Sequence, residues 1–477
     1  MERTYFVFTN AGKPVYISPR ITSPFGLESG APRRRGSLRP KDAAGEGEES
    51  EEEEEETATT RIGVMTALMS IFTDDHGDRL RDINSSAGRI TFLQRTPLLL
   101  VGITKSSREE PTFVMRAHLD MIHNQILGLL STSQLNAMYK RKASVDLRRL
   151  LEGTDPILDA LLLRLQKERS LLMGALQPCR ISVDLREELS QHLNPSSLSE
   201  SRRPPDLLYV LLLFGSMIVT LLRPKKHSAH PVDMQLLINT VQGTQALREA
   251  GSESWLPLSL PKFAPQGFLH IYASVHDITE GSDTTDSDDQ ATNLTLCFVT
   301  GSRDAFPKLS EWRSEFFANI SKEPLRSRLR AELLASDYTA EQVGVTGLRH
   351  FIYKSRMNTQ ITSPTFDTSY APGTQDFHRL MGLCDQAFQA IHGAGYAIPP
   401  SSLEDELGLS LAPPPLKMHY IKTTHEAVLA WITQPFEMYI TISPWLPKAA
   451  VIAAANSVAK WVKKNEASLF LLSPPVF

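Results

Sequence analysis

The chain has 477 residues, 41% of them hydrophobic, and a formal net charge of -4. It is too long for one hydrophobic core, so we expect two to four folded units. The charge balance does not favour nucleic acid, whose phosphates need a concentrated cationic surface. Cys179, Cys297 and Cys384 are widely separated and form no C-x-x-C pair. This spacing argues against a disulfide framework or a thiolate zinc cluster and fits a reducing cytosol.

The N-terminal part predicts a β-hairpin followed by a helix. Tyr5–Thr9 and Pro14–Ser18 are strand-like and flank an Asn10-Ala11-Gly12 turn. Residues 20–60, with an arginine cluster and a long glutamate run, bury too little apolar surface to fold, so we expect a disordered insertion. Beyond it, apolar residues at helical spacing predict a first helix, two strands and a second helix. The first helix carries Val64, Leu68, Ile71 and Phe72, the strands are Arg89–Gln94 and Leu98–Thr104, and the second helix carries Met115, Leu119, Ile122, Ile126 and Leu129.

The same order recurs from Leu207. The apolar run Leu207–Leu222 is shorter than the roughly 20 residues that span a bilayer and is split at Gly215. It therefore favours a buried hairpin over a membrane-associated segment, although both remain open. His230-Pro231 then opens a helix. Strands are predicted at Trp255–Leu260, Phe268–Val275 and Leu294–Thr300, followed by a helix that carries Leu309, Trp312, Phe316 and Ile320.

A third copy begins near Leu348. It has a hairpin, a helix with Phe377, Leu380, Cys384, Phe388 and Ile391, three strands, and a closing helix with Val451, Ala455, Val458 and Val462. The last strand, Phe436–Ile442, alternates apolar and polar residues and predicts one wet face. The fold class is therefore α+β, with three longin-like domains, each an antiparallel sheet flanked by helices. We place them at residues 1–175, 176–340 and 341–477, with a linker near residues 194–205 before the second sheet.

The sequence contains no motif for chemical catalysis. There is no G-x-x-x-x-G-K-[ST] phosphate loop and no G-x-S-x-G elbow. His118 and His123 are five residues apart, and His419 and His425 six, so neither pair matches the i, i+4 spacing of helical metal ligands. We expect no catalytic residues, no metal and no cofactor.

Three polar or aromatic segments are candidates for protein or lipid contacts. A polar cluster that includes Asp74, Asp75, Asp78 and Arg79 ends the first helix, where carboxylates interact unfavourably with the helix dipole. This cluster is either a solvated helix cap or a surface for a cationic partner. Trp255 and Phe263 lie in a proline-rich segment that is either an edge strand or an interface anchor. Two cation clusters either solvate a face or meet anionic lipids. The clusters are Arg223, Lys225 and Lys226, and Lys460, Lys463 and Lys464.

Seven ordered blocks resemble the Mon family of vacuolar and endosomal fusion proteins. They are FTNAGKPVY, GVMTALMSIFTDDHGDRLRDI, FLQRTPLLLVGITKS, DLRRLLEGT, HPVDMQLLINTV, WLPLSLPKF and RHFIYKS. The resemblance implies three longin domains and a heterodimer with the similarly built Ccz subunit. It implies a guanine-nucleotide exchange factor for the late-endosomal and vacuolar Rab GTPase. It also implies recruitment by the early-endosomal Rab and by membranes that contain phosphatidylinositol-3-phosphate.

The resemblance and the residues together place the expected contacts. We expect the substrate Rab on the first unit, at Asn10, Lys13, Asp74, Asp75, Asp78, Arg79 and Arg81. The recruiting Rab is expected at Trp255 and Phe263, and lipid at the two cation clusters. The protein should then be cytoplasmic and peripheral on late-endosome and vacuole or lysosome membranes. Members commonly begin with a long extension that restrains activity, whereas this chain begins at the first hairpin, so that regulation is not expected in it.

Two other functions stay open at this point. A longin-type adaptor or tether can use the same surfaces without exchanging nucleotide, and a lipid or small-ligand binding protein can use pockets between the units. Nucleotide release from a Rab separates the first from an exchange factor, and binding of lipid headgroups tests the second.

Overall fold

The computed structural model describes residues 3–18, 60–72, 80–105, 110–141, 145–278, 293–393, 416–472 and 476–477. Within them, one plan occurs three times: a five-stranded antiparallel sheet with helices packed against it. The predicted α+β class and the threefold repetition are confirmed. The predicted insertion at residues 20–60 lies outside the described residues, except for residue 60, which is helical.

The first sheet has the strand order β2-β1-β5-β4-β3. Its strands are β1 (Arg3–Thr9), β2 (Pro14–Ile17), β3 (Asp82–Ser85), β4 (Gly88–Arg95) and β5 (Leu98–Lys105). The predicted hairpin is β1–β2, and Gly12 closes its turn with a φ of 74°, which glycine adopts without a steric cost. Edge strand β3 was not predicted, because its four residues, DINS, contain a single apolar side chain and hence no alternation.

Three helices accompany the first sheet: α1 (residues 60–72), α2 (Thr112–Leu130) and α3 (Thr132–Arg141). The predicted stripe of α2 is largely buried. Helix α1 is confirmed, but its core-facing side carries Ile62, Met65 and Met69. The predicted stripe lies on another side, where Val64 is 56% and Ile71 61% exposed. Helix α1 is therefore apolar on both sides.

The second sheet has the strand order β7-β6-β10-β9-β8. Its strands are β6 (Leu207–Phe214), β7 (Met217–Leu222), β8 (Glu253–Leu258), β9 (Leu269–Asp277) and β10 (Asn293–Thr300). The run Leu207–Leu222 is thus the buried hairpin rather than a membrane-associated segment. In the described ranges, every helix is too short or too polar to cross a bilayer.

Helices cover both faces of the second sheet. Those described between residues 155 and 335 are α4 (Asp155–Lys167), α5 (Arg169–Leu172), α6 (Val183–His192), α7 (Pro231–Gly243), α8 (Phe306–Ile320) and α9 (Leu325–Leu334). Helices α6, α8 and α9 contribute to the core on one face, and α7 to the core on the other. The predicted linker near residues 194–205 contains the 3-10 helix Pro195–Ser197, and Leu198 is part of the first of these cores.

The third sheet has the strand order β12-β11-β15-β14-β13. Its strands are β11 (Leu348–Ser355), β12 (Gln360–Thr362), β13 (Met418–Lys422), β14 (Ala427–Ile432) and β15 (Phe436–Ile442), and its main helices are α10 (Gln375–His392), α11 (Lys448–Lys464) and α12 (Glu466–Leu469). The predicted wet face of β15 is wrong, because Glu437, Tyr439 and Thr441 are each 1% exposed. Helix α10 covers that face: Phe388 stacks on Tyr439 with ring centroids 6.1 Å apart.

A short extended segment joins the second and third sheets through their edges. The Cys179 amide donates to the Ile218 carbonyl of β7 at 2.8 Å, and the Ile361 amide of β12 donates to the Leu176 carbonyl at 2.8 Å. Edge strands β7 and β12 thus gain backbone partners, which removes two exposed sheet edges. These two sheets therefore share one continuous compact unit.

By its internal contacts the chain divides into two compact units. The first contains Met1–His123 and Gln134–Asp155, and the second contains Asn124–Ser133 and Pro156–Phe477. Helices α4 and α5 belong to the second unit, where the Asn239 side chain donates to the Ile157 carbonyl at 2.9 Å. The predicted domain boundaries at residues 175 and 340 stay predictions.

Candidate interaction surfaces

The turn of the first hairpin is a rigid, exposed feature beside α1. The Thr9 amide donates to the Lys13 carbonyl at 2.9 Å, and the Asn10 amide donates to the Pro97 carbonyl at 3.1 Å. A Cβ atom at Gly12 would lie 3.7 Å from the Thr66 hydroxyl of α1, so turn and helix are in contact. Asn10 and Lys13 are both exposed. The structure therefore brings two of the predicted Rab contacts together next to α1.

Arg81, a third predicted Rab contact, lies at the opposite edge of the same sheet. It directly precedes β3, and its carbonyl accepts a hydrogen bond from Phe92. Three strand spacings of about 4.8 Å separate β3 from β1, so Arg81 is roughly 14 Å across the sheet from the hairpin. Asp74, Asp75, Asp78 and Arg79 lie outside the described residues, and their predicted contact stays a prediction.

The outer side of α1 is an exposed apolar surface, although its residues were predicted as the buried stripe of the helix. Val64 is 56%, Ile71 61% and Phe72 44% exposed. Single exposed apolar residues are common on any protein, but here three lie on one short helix. Two interleaved apolar stripes on one helix were the available signal, since only one stripe can face its own sheet.

Trp255 lies on β8, which is an edge strand as its prolines suggested. The indole is half-buried and stacks on His270, with ring centroids 5.3 Å apart and planes at 3°. Phe306 meets it edge-on at 5.8 Å. Trp255 thus supports its own domain while leaving part of the ring on the surface.

Phe263, the second predicted recruiting contact, is also half-buried. It packs against the core that contains α7, whereas Trp255 packs against the core on the other face of the sheet. His227 and Tyr209 meet the Phe263 ring edge-on, with centroids 5.2 and 5.9 Å away. The structure therefore does not join the two aromatic side chains into one cluster.

The two predicted cation clusters differ in their surroundings. Arg223 is half-buried and donates to the His227 carbonyl at 3.0 Å, while Lys225 and Lys226 are exposed. Lys460, Lys463 and Lys464 are exposed near the C-terminal end of α11, where cations interact favourably with the helix dipole. Lys463 forms an ion pair with Glu466.

Ionisable groups in the interior are arranged for structure rather than for catalysis. Burial raises the pKa of the Cys179 thiol to about 11 and those of Cys297 and Cys384 to about 12, so all three stay protonated. The buried His118 ring bonds the Tyr5 hydroxyl at 2.9 Å. Among the described residues, no group of three or more His, Cys, Asp or Glu side chains is placed to hold a metal ion.

Glutamates buried in the third domain are paired. Burial alone would raise the pKa of Glu426, but hydrogen bonds from Arg379 and Tyr370 outweigh it and lower that pKa below its ordinary value. The same holds for Glu437, whose pKa is lowered by His392 at 2.8 Å and the Lys354 ammonium at 3.7 Å despite burial. These networks fix α10 against the third sheet and link β15 to β11.

Family models match all three repeats. Residues 3–161, 205–318 and 347–466 match the first, second and third longin domains of FUZ, MON1 and HPS1, respectively. Vacuolar fusion protein MON1 of Cryptococcus neoformans is 40% identical over 475 residues, which is 100% of this chain and 65% of the relative. Vacuolar fusion protein MON1 homolog A of Gallus gallus is 32% identical over 99% of this chain and 72% of its own length.

Protein SAND of Takifugu rubripes is 32% identical over 87% of this chain and 72% of the relative. The chain thus spans somewhat less than two thirds of the Cryptococcus protein and somewhat more of the two vertebrate ones. The three predicted domains are longin domains, and the sequence similarity runs through all of them. The chain therefore belongs to the MON1 family of vacuolar fusion proteins.

Proposed function

We propose that this protein acts in vacuolar and endosomal fusion as one subunit of a heterodimeric guanine-nucleotide exchange factor for the late-endosomal and vacuolar Rab GTPase. The observation that carries the proposal is the exposed apolar side of α1 beside the Asn10–Lys13 turn in a MON1-family longin domain. The apolar side suits a partner subunit, and the polar turn suits a GTPase. Relatives of the chain are named vacuolar fusion proteins.

Exchange requires no chemical catalysis, in keeping with a sequence that has neither a G-x-S-x-G elbow nor a phosphate-loop motif. An exchange factor needs only to bind the opened-switch form of the GTPase better than the nucleotide-loaded form. A differential affinity of about 5.5 kcal/mol moves such an equilibrium from 1:99 to 99:1. One protein interface can supply that difference.

We assign the partner subunit, a Ccz-type longin protein, to the Val64, Ile71 and Phe72 side of α1. Ile71→Asp should abolish co-purification with the Ccz subunit, because it places a charge in an apolar contact. Ser70→Asp is the matched control: Ser70 is exposed on the same helix, one residue away. Equal assembly of both variants with the partner would remove α1 from the interface.

The substrate Rab is assigned to the first domain, at Asn10 and Lys13 and the segment from Asp74 to Arg81. Asn10→Ala/Lys13→Ala, and separately alanine at Asp74, Asp75 and Asp78, should slow GDP release by the assembled pair. Lys140→Ala tests for a general charge effect, since Lys140 is exposed at the end of α3. If every variant releases GDP at the wild-type rate, the substrate docks elsewhere.

The protein would be recruited to late endosomes and vacuoles, through its second domain and through membranes that contain phosphatidylinositol-3-phosphate. The exposed part of Trp255, with Phe263, would meet the early-endosomal Rab. Trp255→Ala should lower recruitment and leave GDP release in solution nearly intact. Because Trp255 stacks on His270, a melting curve accompanies this variant, and a large drop would make the indole a core residue. The cation clusters at Arg223, Lys225 and Lys226 and at Lys460, Lys463 and Lys464 would face lipid.

An adaptor or tether without exchange activity would also assemble and be recruited. The GDP-release rate separates it from an exchange factor, since a tether changes the location of the Rab but not its nucleotide off-rate.

A further inference from the structure

Helix α11 presents a face with cations and without acids. Residues 438–465 contain four lysines and no aspartate or glutamate. Lys448, Ile452, Asn456, Lys460 and Lys464 follow one another at intervals of four and are all exposed. Over 16 residues, this stripe is about 24 Å long. The opposite side of α11 is buried in the core of the third domain, so the orientation of the stripe is fixed.

Trp445 lies three residues before the start of α11 and is 86% exposed, the most exposed large apolar side chain in the described part of the chain. Its neighbours hold the loop in place: Leu446 packs on the core of the third domain, and its side chain fills the space beside Gly347. The exposure of the indole is therefore set by a supported loop. On α11 itself, Ile452 is the large apolar residue that is exposed, at 44%.

The residue composition of this face indicates whether it contacts a protein or a lipid bilayer. The buried centre of a protein interface is depleted in lysine and built around a contiguous apolar patch. Apart from Ile452, the exposed side chains between the lysines are small or polar, among them Ala449, Ala453 and Ser457. A row of lysines with an exposed tryptophan at one end is instead typical of a surface that rests on a bilayer, where indole rings settle at the headgroup level.

We infer that the exposed face of α11 lies on an anionic lipid surface, with Trp445 inserted as its anchor. The inference rests on the proposed membrane role of the protein and deepens it. It adds Lys448 and the indole to the cluster at Lys460 and Lys464, and it places the helix parallel to the bilayer. It does not depend on exchange activity.

Flotation of the full chain with phosphatidylcholine vesicles, with and without phosphatidylserine, tests the inference. Replacing Lys448, Lys460 and Lys464 with alanine should weaken binding to the anionic vesicles about 100-fold, since each cation near an anionic membrane raises the affinity about fivefold. Trp445→Ala should weaken it about tenfold, which requires only about 60 Å² of the indole to leave water. Alanine at Lys140, Arg248 and Lys322, exposed cations outside α11, is the charge-matched control.

Quenching by brominated lipid gives a second readout that does not depend on affinity. Anionic vesicles with brominated chains should quench part of the tryptophan fluorescence of the wild type, and Trp445→Phe should remove that part. Equal binding by all variants, equal loss in the control triple, or unchanged quenching in Trp445→Phe would overturn the inference. So would a Trp445→Ala variant that floats normally but no longer assembles with the Ccz subunit, which assigns the face to a protein. GDP release in solution should be normal in every variant, so failure of the exchange proposal is separately visible.

Discussion

Replacing Arg186 with methionine tests how the second and third longin domains are held together. The Arg186 side chain is 8% exposed. It reaches from α6 to the C-terminal end of α12 and donates to five backbone carbonyls. These belong to Val219 at 3.2 Å, Ala467 at 3.0 Å, Phe470 at 3.0 Å, Cys179 at 2.7 Å and Ser468 at 3.0 Å. Burial lowers the pKa of this guanidinium to about 10, so its charge is held in the interior at a cost.

Methionine fills much of the same space but cannot donate a hydrogen bond. The bonds to Val219, Phe470 and Cys179 are fully buried, so three acceptors would lose their partners away from water. At about 1–1.5 kcal/mol for each stranded carbonyl, we expect a loss of about 3–5 kcal/mol. The compact unit that contains Arg186 has about 330 residues, so at about 2.1 cal/mol/K of unfolding entropy per residue such a loss lowers the melting temperature by about 4–7 °C.

The measurement is thermal unfolding followed by circular dichroism, with hydrogen exchange at α12 as the local readout. Arg202→Met is the matched control, because Arg202 pairs with Glu315 at 2.5 Å on the surface, where water screens the two charges and the pair adds little stability. Exchange at Leu469 and Phe470 should accelerate in Arg186→Met alone. If the two variants melt at the same temperature, the carbonyl cluster around Arg186 does not stabilise the interface between the domains.

Three further predictions follow from the interior. Arg169→Met should lower the free energy of unfolding by about 3–5 kcal/mol, because Asp385, which pairs with Arg169 at 2.9 Å, would stay buried and charged. Adding Asp385→Leu should restore much of the melting temperature. The lowered pKa of Glu437 stabilises the fold above pH 4.5, the ordinary pKa of a glutamate, and this stabilisation is lost as the pH falls through the lowered pKa of the folded state. The melting temperature of Glu437→Gln should therefore decline less steeply below pH 4.5 than that of the wild type. An unchanged slope would contradict this. Because all three cysteines are buried, native protein at pH 8 should not react with a thiol reagent, whereas all three thiols should react in denaturant. A thiol that reacts fast in the native protein would show that one cysteine is not buried.

Much of the fold could be predicted from periodicity. The hairpins, the strands of the second and third sheets and the buried stripes of α8 and α10 follow from apolar spacing, because each of these elements has a face that must be covered. Strand β3 could not be predicted in this way, because Ile83 is the only one of its four residues that packs on the core, and the rest of its pairing with β4 is made by the backbone and by polar contacts such as that from Thr91 to Asp82.

The errors came from side chains whose partners are distant in sequence. Glu437 was assigned to a wet face because apolar and polar residues alternate along its strand. Its burial depends on His392 and Lys354, which compensate its charge and are 45 and 83 residues away. The apolar stripe of α1 was visible, but a stripe alone does not tell whether the residues face the sheet of the same chain or a partner. Likewise, the sequence offered Trp255 as an anchor without indicating that His270 stacks on it.

The proposed exchange activity is best measured as the rate of GDP release from the late-endosomal Rab. A fluorescent GDP analogue would be loaded on this Rab and on a panel of others, and its release followed with the chain alone, with the Ccz subunit alone and with both together. We expect fast, selective release only with the assembled pair, because we propose that the first longin domain and the partner subunit form the substrate surface together. Intrinsic release rates in the presence of the assembled pair, or strong release by the isolated chain, would contradict it.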